Sequence, residues 1–327
     1  MKRSIYSLLA GVVVLAFSLS LAPAALGKPM EMKAVIFLPT NHDLAVAAAD
    51  WVKKVNTELK DVVQVNLGGP EVIPGLQQAD AVKNGVVDIA FSVTAYFTSL
   101  FPEGWAFFVS NYTPMEERRP GGFYDYMVGR FQKIDLMYLG RWLSATPFYL
   151  WTIKPVSGLE DLQGLKMRSA SHFDRFMKEM GMIPVTIMTP DVYTALERAA
   201  VDGMGWPLLG AREMGWTDKC KYIIDIPFHG ANNAVILMNL AVWNKLPKDA
   251  QSKIVSITAD VEANMIKHFK QEYEKEWKKL EEIGVKRLQF PQADAQKYLA
   301  IIDRVDWEIL SEKVPDLVPE IKKVTGH

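Results

Sequence analysis

Cys220 is the only cysteine in this chain of 327 residues. A lone thiol closes no internal disulfide, so the fold must rest on its core. Cys220 itself reads as a small, partly buried hydrophobe. No cysteine follows the N-terminal apolar run, which excludes lipid attachment there. An excess of charge of either sign is also missing, because 37 Lys and Arg face 38 Asp and Glu for a formal net charge of −1. Such a balance gives no electrostatic footprint for nucleic acid, and none is expected as a partner.

Long apolar runs are absent beyond the first residues. Met1-Lys2-Arg3, an apolar stretch from Ile5 to Leu21 and the small residues Ala22-Pro23-Ala24-Ala25-Leu26-Gly27 make the pattern of a secretory signal peptide. Cleavage is expected after Gly27, with an uncleaved anchor as the alternative, since the run is nearly long enough to span a bilayer. No second run of roughly 18 apolar residues follows. The mature chain, residues 28–327, is therefore expected to be exported, periplasmic and not membrane-embedded. It is long enough for two domains.

Catalytic and metal signatures are missing too. The five histidines, His42, His172, His229, His268 and His327, form no H-E-x-x-H or other close ligand set. Neither G-x-S-x-G nor a phosphate loop occurs, and Cys220 has no evident partner. The expectation is no cofactor, no metal and no enzyme.

What is present is alternation. Met32–Leu38 reads as a buried strand, Leu44–Leu59 as an amphipathic helix, Val62–Leu67 as a strand, Leu76–Asn84 as a helix and Val86–Phe91 as a strand. That order indicates an α/β unit with a largely parallel sheet. Alternation resumes with strands at Leu136–Trp142, Phe148–Ile153, Leu165–Arg168, Pro184–Met188 and Gly203–Trp206. Helices are expected at Gly158–Gly164, a short one capped by glycine, at Ser171–Met180 and at Asp191–Ala199. Two α/β lobes in one chain predict a ligand cleft between them. Lys248–Ile283 contains no glycine or proline and carries an apolar stripe from Ile254 through Phe269 and Trp277 to Leu280. At 1.5 Å per residue such a helix reaches roughly 50 Å. It is expected to pack along both lobes, with a coiled-coil arm as the alternative.

Motifs narrow the reading. Gly164-Leu165-Lys166-Met167-Arg168 is followed by Gly181-Met182-Ile183-Pro184, then by Asp191-Val192-Tyr193-Thr194-Ala195-Leu196-Glu197 and Val201-Asp202-Gly203. Gly85-Val86-Val87-Asp88 lies upstream, and Leu246-Pro247 with Gln251 downstream. In order and spacing this resembles the DctP-like solute-binding subunits of tripartite ATP-independent periplasmic (TRAP) transporters, from about residue 31 to 323. The resemblance implies a two-lobe periplasmic-binding-protein fold, type II-like, with mixed sheets and a long lobe-bridging C-terminal helix. The lobes are expected over 28–145 plus 233–275 and over 146–232 plus 276–327. Small and large TRAP membrane subunits are the implied partners, and a sensor presenting ligand to a membrane receptor is the alternative. A periplasmic enzyme ranks below both.

The resemblance also implies that Arg168 grips the carboxylate of a small organic acid. A guanidinium fork matches a carboxylate two bonds at a time, which fits the end of a strand in the second lobe. An ordinary ion pair is the alternative role for Arg168. Where many relatives carry a second arginine this chain has Phe148, and where many carry a polar group it has Trp206. Phe37 ends the first strand, Val93 and Tyr96 lie in the loop after Asp88, and Thr189 and Asn232 complete the candidate set, Asn232 as a hinge or rim donor or else a turn residue. One arginine among apolar and aromatic groups favours a monocarboxylate with an apolar or aromatic body, unless these rings serve only to pack the lobes.

Overall fold

The apolar alternation resolves into eleven strands in the computed structural model, which describes residues 28–170, 172–229 and 233–327. In chain order they are β1 (Met30–Ile36), β2 (Val63–Gly68), β3 (Ile89–Val93), β4 (Leu136–Arg141), β5 (Phe148–Thr152), β6 (Lys166–Ser169), β7 (Ile183–Thr186), β8 (Gly203–Pro207), β9 (Tyr222–Ile224), β10 (Ala234–Asn239) and β11 (Lys286–Leu288). The expected signal peptide, residues 1–27, lies outside the described residues. Among those described, no helix is long and apolar enough to cross a membrane.

Two mixed sheets form two lobes. The first has the order β2-β1-β3-β10-β4, and the second β11-β9-β5-β8-β6-β7. In the first, β1 runs parallel to β2 and β3 as the β-α-β-α-β order requires, while β10, which follows β9 of the second sheet in the chain, pairs antiparallel with β3 and β4. In the second, β6 is parallel to β7 and β8, and β5 is antiparallel to β8 and β9.

The long helix spans Lys248–Glu282. Toward its start Trp51 Nε1 donates to Thr258 Oγ1 at 2.8 Å, and Arg118 Nε donates to Glu262 at 2.5 Å. Toward its end Tyr273 donates to the Pro147 carbonyl at 3.2 Å, Arg212 Nε donates to Glu276 at 3.0 Å, and Trp277 meets the Tyr149 ring edge-on at 6.1 Å. The stripe is thus buried along both lobes, not paired in a coiled-coil arm.

Several boundaries move for local reasons. The expected helix from Leu44 opens as a tight turn, Asp43–Ala45, whose Leu44 N–H donates to His42 Nδ1, before the α-helix Val46–Glu58. The strand expected from Val86 begins at Ile89, because Val86 N–H still bonds back to Ala81 O as the helix Gln78–Lys83 unwinds through Gly85. The helix expected from Ser171 starts at Asp174. Neither β10 nor the helix Gln292–Lys313 was expected from the sequence.

Candidate functional site

The Val201-Asp202-Gly203 motif fixes the strand that carries Arg168. The Asp202 carboxylate accepts from Lys166 N–H at 2.9 Å, and the Asp202 N–H donates to Lys166 O at 2.6 Å. Ile153 N–H donates to Asp202 O at 2.9 Å, tying in β5. Gly203 must be glycine, since a Cβ there would lie 2.1 Å from the Trp151 carbonyl oxygen. Asp88 repeats the device in the other lobe, accepting from Lys33 N–H at 2.7 Å. Gly164, with φ +76°, turns the chain into β6 and donates its N–H to Gly181 O at 2.8 Å.

Arg168 is 1% exposed. Its Nε donates to Ile187 O at 2.9 Å and its Nη1 to Gly205 O at 3.2 Å, whereas Nη2 is buried without a partner. Burial lowers its pKa to about 10, with Tyr96 pulling the other way. The group therefore stays charged at neutral pH, and among the described residues no carboxylate offsets it. A buried cation in that state is costly until a counter-ion arrives.

Arg168 borders a narrow, partly open void of about 30 Å³ between the lobes. The first lobe contributes Phe37, Leu38, Val93, Tyr96 and Leu143, mostly from the C-terminal ends of its strands. The second contributes Phe148, Ala170, His172, Phe173, Trp206 and Pro207. Open α/β sheets present ligand groups at such strand ends. Phe37 meets Tyr96 edge-on at 5.2 Å, and Phe148 meets Phe173 at 5.0 Å. Trp206 is anchored by its indole N–H to Leu209 O at 3.1 Å and packs on Trp216 at 4.9 Å.

Of the candidates named from sequence, Phe37, Val93, Tyr96, Phe148, Arg168 and Trp206 come together on this void. Thr189 is buried near Tyr96 without bordering the void, and its hydroxyl makes no hydrogen bond of ordinary geometry. Burial pushes the Tyr96 phenol up, with the Arg168 charge and then Thr189 opposing. Asn232 lies outside the described residues. Its neighbour Asn233 lines the void and donates from Nδ2 to Thr94 Oγ1 at 2.9 Å.

His172, not named from sequence, also borders the void. Four positions beyond Arg168, it is 7% exposed, its Nδ1 lies 2.9 Å from Ala170 O, and its Nε2 is buried without a partner. Burial pushes its pKa down to about 3, and the ring stacks on Phe108 at 5.7 Å. Its place just past a strand that ends in a site arginine was the one available signal. Among the described residues no cluster of three or more His, Cys, Asp or Glu gathers to hold a metal.

Comparison with known proteins adds the family. A monocarboxylate 2-oxoacid-binding periplasmic protein of Nostoc sp. is 28% identical over 204 residues, covering 60% of this chain and 55% of that protein. The sialic acid-binding periplasmic protein SiaP of Vibrio cholerae is 28% identical over 141 residues, 42% of this chain and 43% of that one. The matched stretches thus span about half the length of these curated relatives. Among solved structures, a TRAP periplasmic solute-binding protein of Desulfovibrio salexigens with bound orotic acid superimposes with a TM-score of 0.81 at 18% identity, covering 90% of this chain and 97% of that chain. An extracytoplasmic solute receptor of Bordetella pertussis binding pyroglutamic acid gives 0.80 at 16%, covering 91% and 100%. At these identities the structural likeness is one of fold. The family model for DctP, bacterial extracellular solute-binding protein family 7, matches residues 35–312, and the chain belongs to that family.

Proposed function

We propose that this protein is the extracytoplasmic receptor of a TRAP transporter, capturing a small monocarboxylate with an apolar body and presenting it to the small and large membrane subunits. One observation carries the reading: Arg168 borders a pocket between the lobes with its Nη2 buried and unpartnered, and among the described residues no carboxylate balances its charge. Two backbone carbonyls hold the rest of the fork, so the free donor is oriented before a ligand arrives. A carboxylate supplies both the missing acceptor and the missing charge.

The walls support the choice of an apolar body. Aromatic and aliphatic side chains dominate them, and each hydroxyl or second carboxylate buried without a partner would cost about 1–3 kcal/mol. Exported receptors of this kind work by closure. Ligand shifts an open–closed equilibrium, the lobes over 28–145 plus 233–275 and 146–232 plus 276–327 swing together, and the closed surface is read by the membrane subunits. No bond chemistry is involved.

A thermal-shift screen of the purified protein against organic acids tests this. Small monocarboxylates should raise the melting temperature, and sugar acids and dicarboxylates should raise it less. Chemical turnover of any stabilising acid, or a preference for polyhydroxylated acids, contradicts the proposal.

A further inference from the structure

A second residue of the same wall holds a buried polar atom without a partner. The Ala170 carbonyl accepts from the main-chain N–H of His172 at 2.9 Å and faces its ring Nδ1 at 2.9 Å. A carbonyl has no hydrogen to give, so the proton of the ring sits on Nδ1. Burial keeps the ring neutral, with a pKa of about 3. Nε2 is then a bare lone pair, buried and without a donor. His172 borders the void together with Arg168. Two residues of this wall thus hold unpartnered polar atoms, one a cationic donor and the other a neutral acceptor.

A ligand that satisfies both needs a carboxylate and, close to it, a hydrogen-bond donor without positive charge. A 2-oxo acid offers only acceptors, and its carbonyl oxygen would face the imidazole lone pair. A 2-amino acid donates, yet its ammonium would leave two cations against one carboxylate in an apolar pocket, where like charges repel strongly. A 2-hydroxyl donates and is neutral.

We propose that His172 is a specificity-determining residue whose Nε2 accepts a hydrogen bond from the hydroxyl of a 2-hydroxy monocarboxylate, discriminating against the 2-oxo and 2-amino counterparts. This rests on the reading of Arg168 as the carboxylate site.

The test is calorimetric titration at neutral pH of the wild type, His172→Leu, His172→Gln and Arg168→Ala with matched acids: lactate and pyruvate, phenyllactate and phenylpyruvate, and the hydroxy and oxo acids of the leucine skeleton. The wild type should favour the hydroxy member of a bound pair by about tenfold or more. His172→Leu should weaken the hydroxy acid alone and erase that preference, and His172→Gln, which keeps an acceptor, should restore part of it. Equal wild-type affinities within each pair, or a His172→Leu that weakens both members alike, would overturn the assignment. If Arg168→Ala leaves the affinities unchanged while the His172 pattern holds, the carboxylate reading fails and the His172 assignment survives. Failure of every pair to bind the wild type overturns both.

Discussion

The guanidinium carbon of Arg168 lies 5.3 Å from the centroid of the Trp206 ring, and each side chain is held in place by a backbone carbonyl of the same lobe. The indole face thus partly compensates a cation that has no carboxylate, while Leu209 O keeps the ring from turning away. Trp206→Ala should destabilise the protein by about 3–5 kcal/mol through the cavity it opens. Trp206→Phe keeps a ring and loses the N–H bond, so about 1 kcal/mol is expected. Urea denaturation of the two variants measures the difference.

Gly203 is a backbone contact in the guise of a motif residue. Gly203→Ala forces a methyl against the Trp151 carbonyl and should cost about 1–3 kcal/mol, while weakening ligand binding by disturbing the strand pair that seats Arg168. Gly129 is the control. It lies in the helix Phe123–Gln132 with open space at its Cβ, so Gly129→Ala should stabilise by about 0.4–1 kcal/mol. Thermal melting of both, with one ligand titration each, checks the pair.

Glu262 ties the long helix to the first lobe. Its carboxylate is 2% exposed, accepting from Arg118 Nε at 2.5 Å and from the Arg141 main-chain N–H at 2.6 Å. Glu262→Ala removes one partner of a buried pair and should cost about 3–5 kcal/mol. Conservative loss in a denaturant titration, below about 1 kcal/mol, would show that water replaces the carboxylate there.

Stability should fall on acidification. Burial pushes His42 to about 4 and His172 and His229 to about 3, from an ordinary value of 6.5. Below about 6.5 the unfolded chain takes up protons that the folded chain refuses, so this contribution is complete above that pH and is lost as pH falls toward the folded values. Asp306, which faces His229 at 3.5 Å, opposes the trend. Burial raises it to about 8, so its contribution is present below about 4 and lost as pH rises through 8. Three histidines outweigh one carboxyl between about pH 6.5 and 4, and His172→Leu should flatten the slope. Melting temperatures recorded from about pH 6.5 to 4.5 report it.

That Arg168 borders the void was legible because a motif carries it, and its neighbours there because strand ends can be counted along a chain. The partner of each strand was harder to read. β10 is a short apolar run, Ala234–Asn239, which periodicity cannot tell from buried helix, and its neighbours β3 and β4 lie far upstream. His172 was unreadable for a different reason. What makes it notable is one unpartnered nitrogen, a property of how Ala170 turns and not of any spacing between histidines. The long helix announced itself by the absence of glycine and proline, yet only its contacts with Trp51 and Tyr149 distinguish a brace from an arm.

The central claim is that a buried, uncompensated guanidinium waits for a ligand carboxylate. Isothermal titration of a stabilising monocarboxylate into the wild type and into Arg168→Ala tests it most directly. The account predicts a loss of about 2–5 kcal/mol in binding with unchanged circular dichroism. Equal affinity for the two proteins would contradict it.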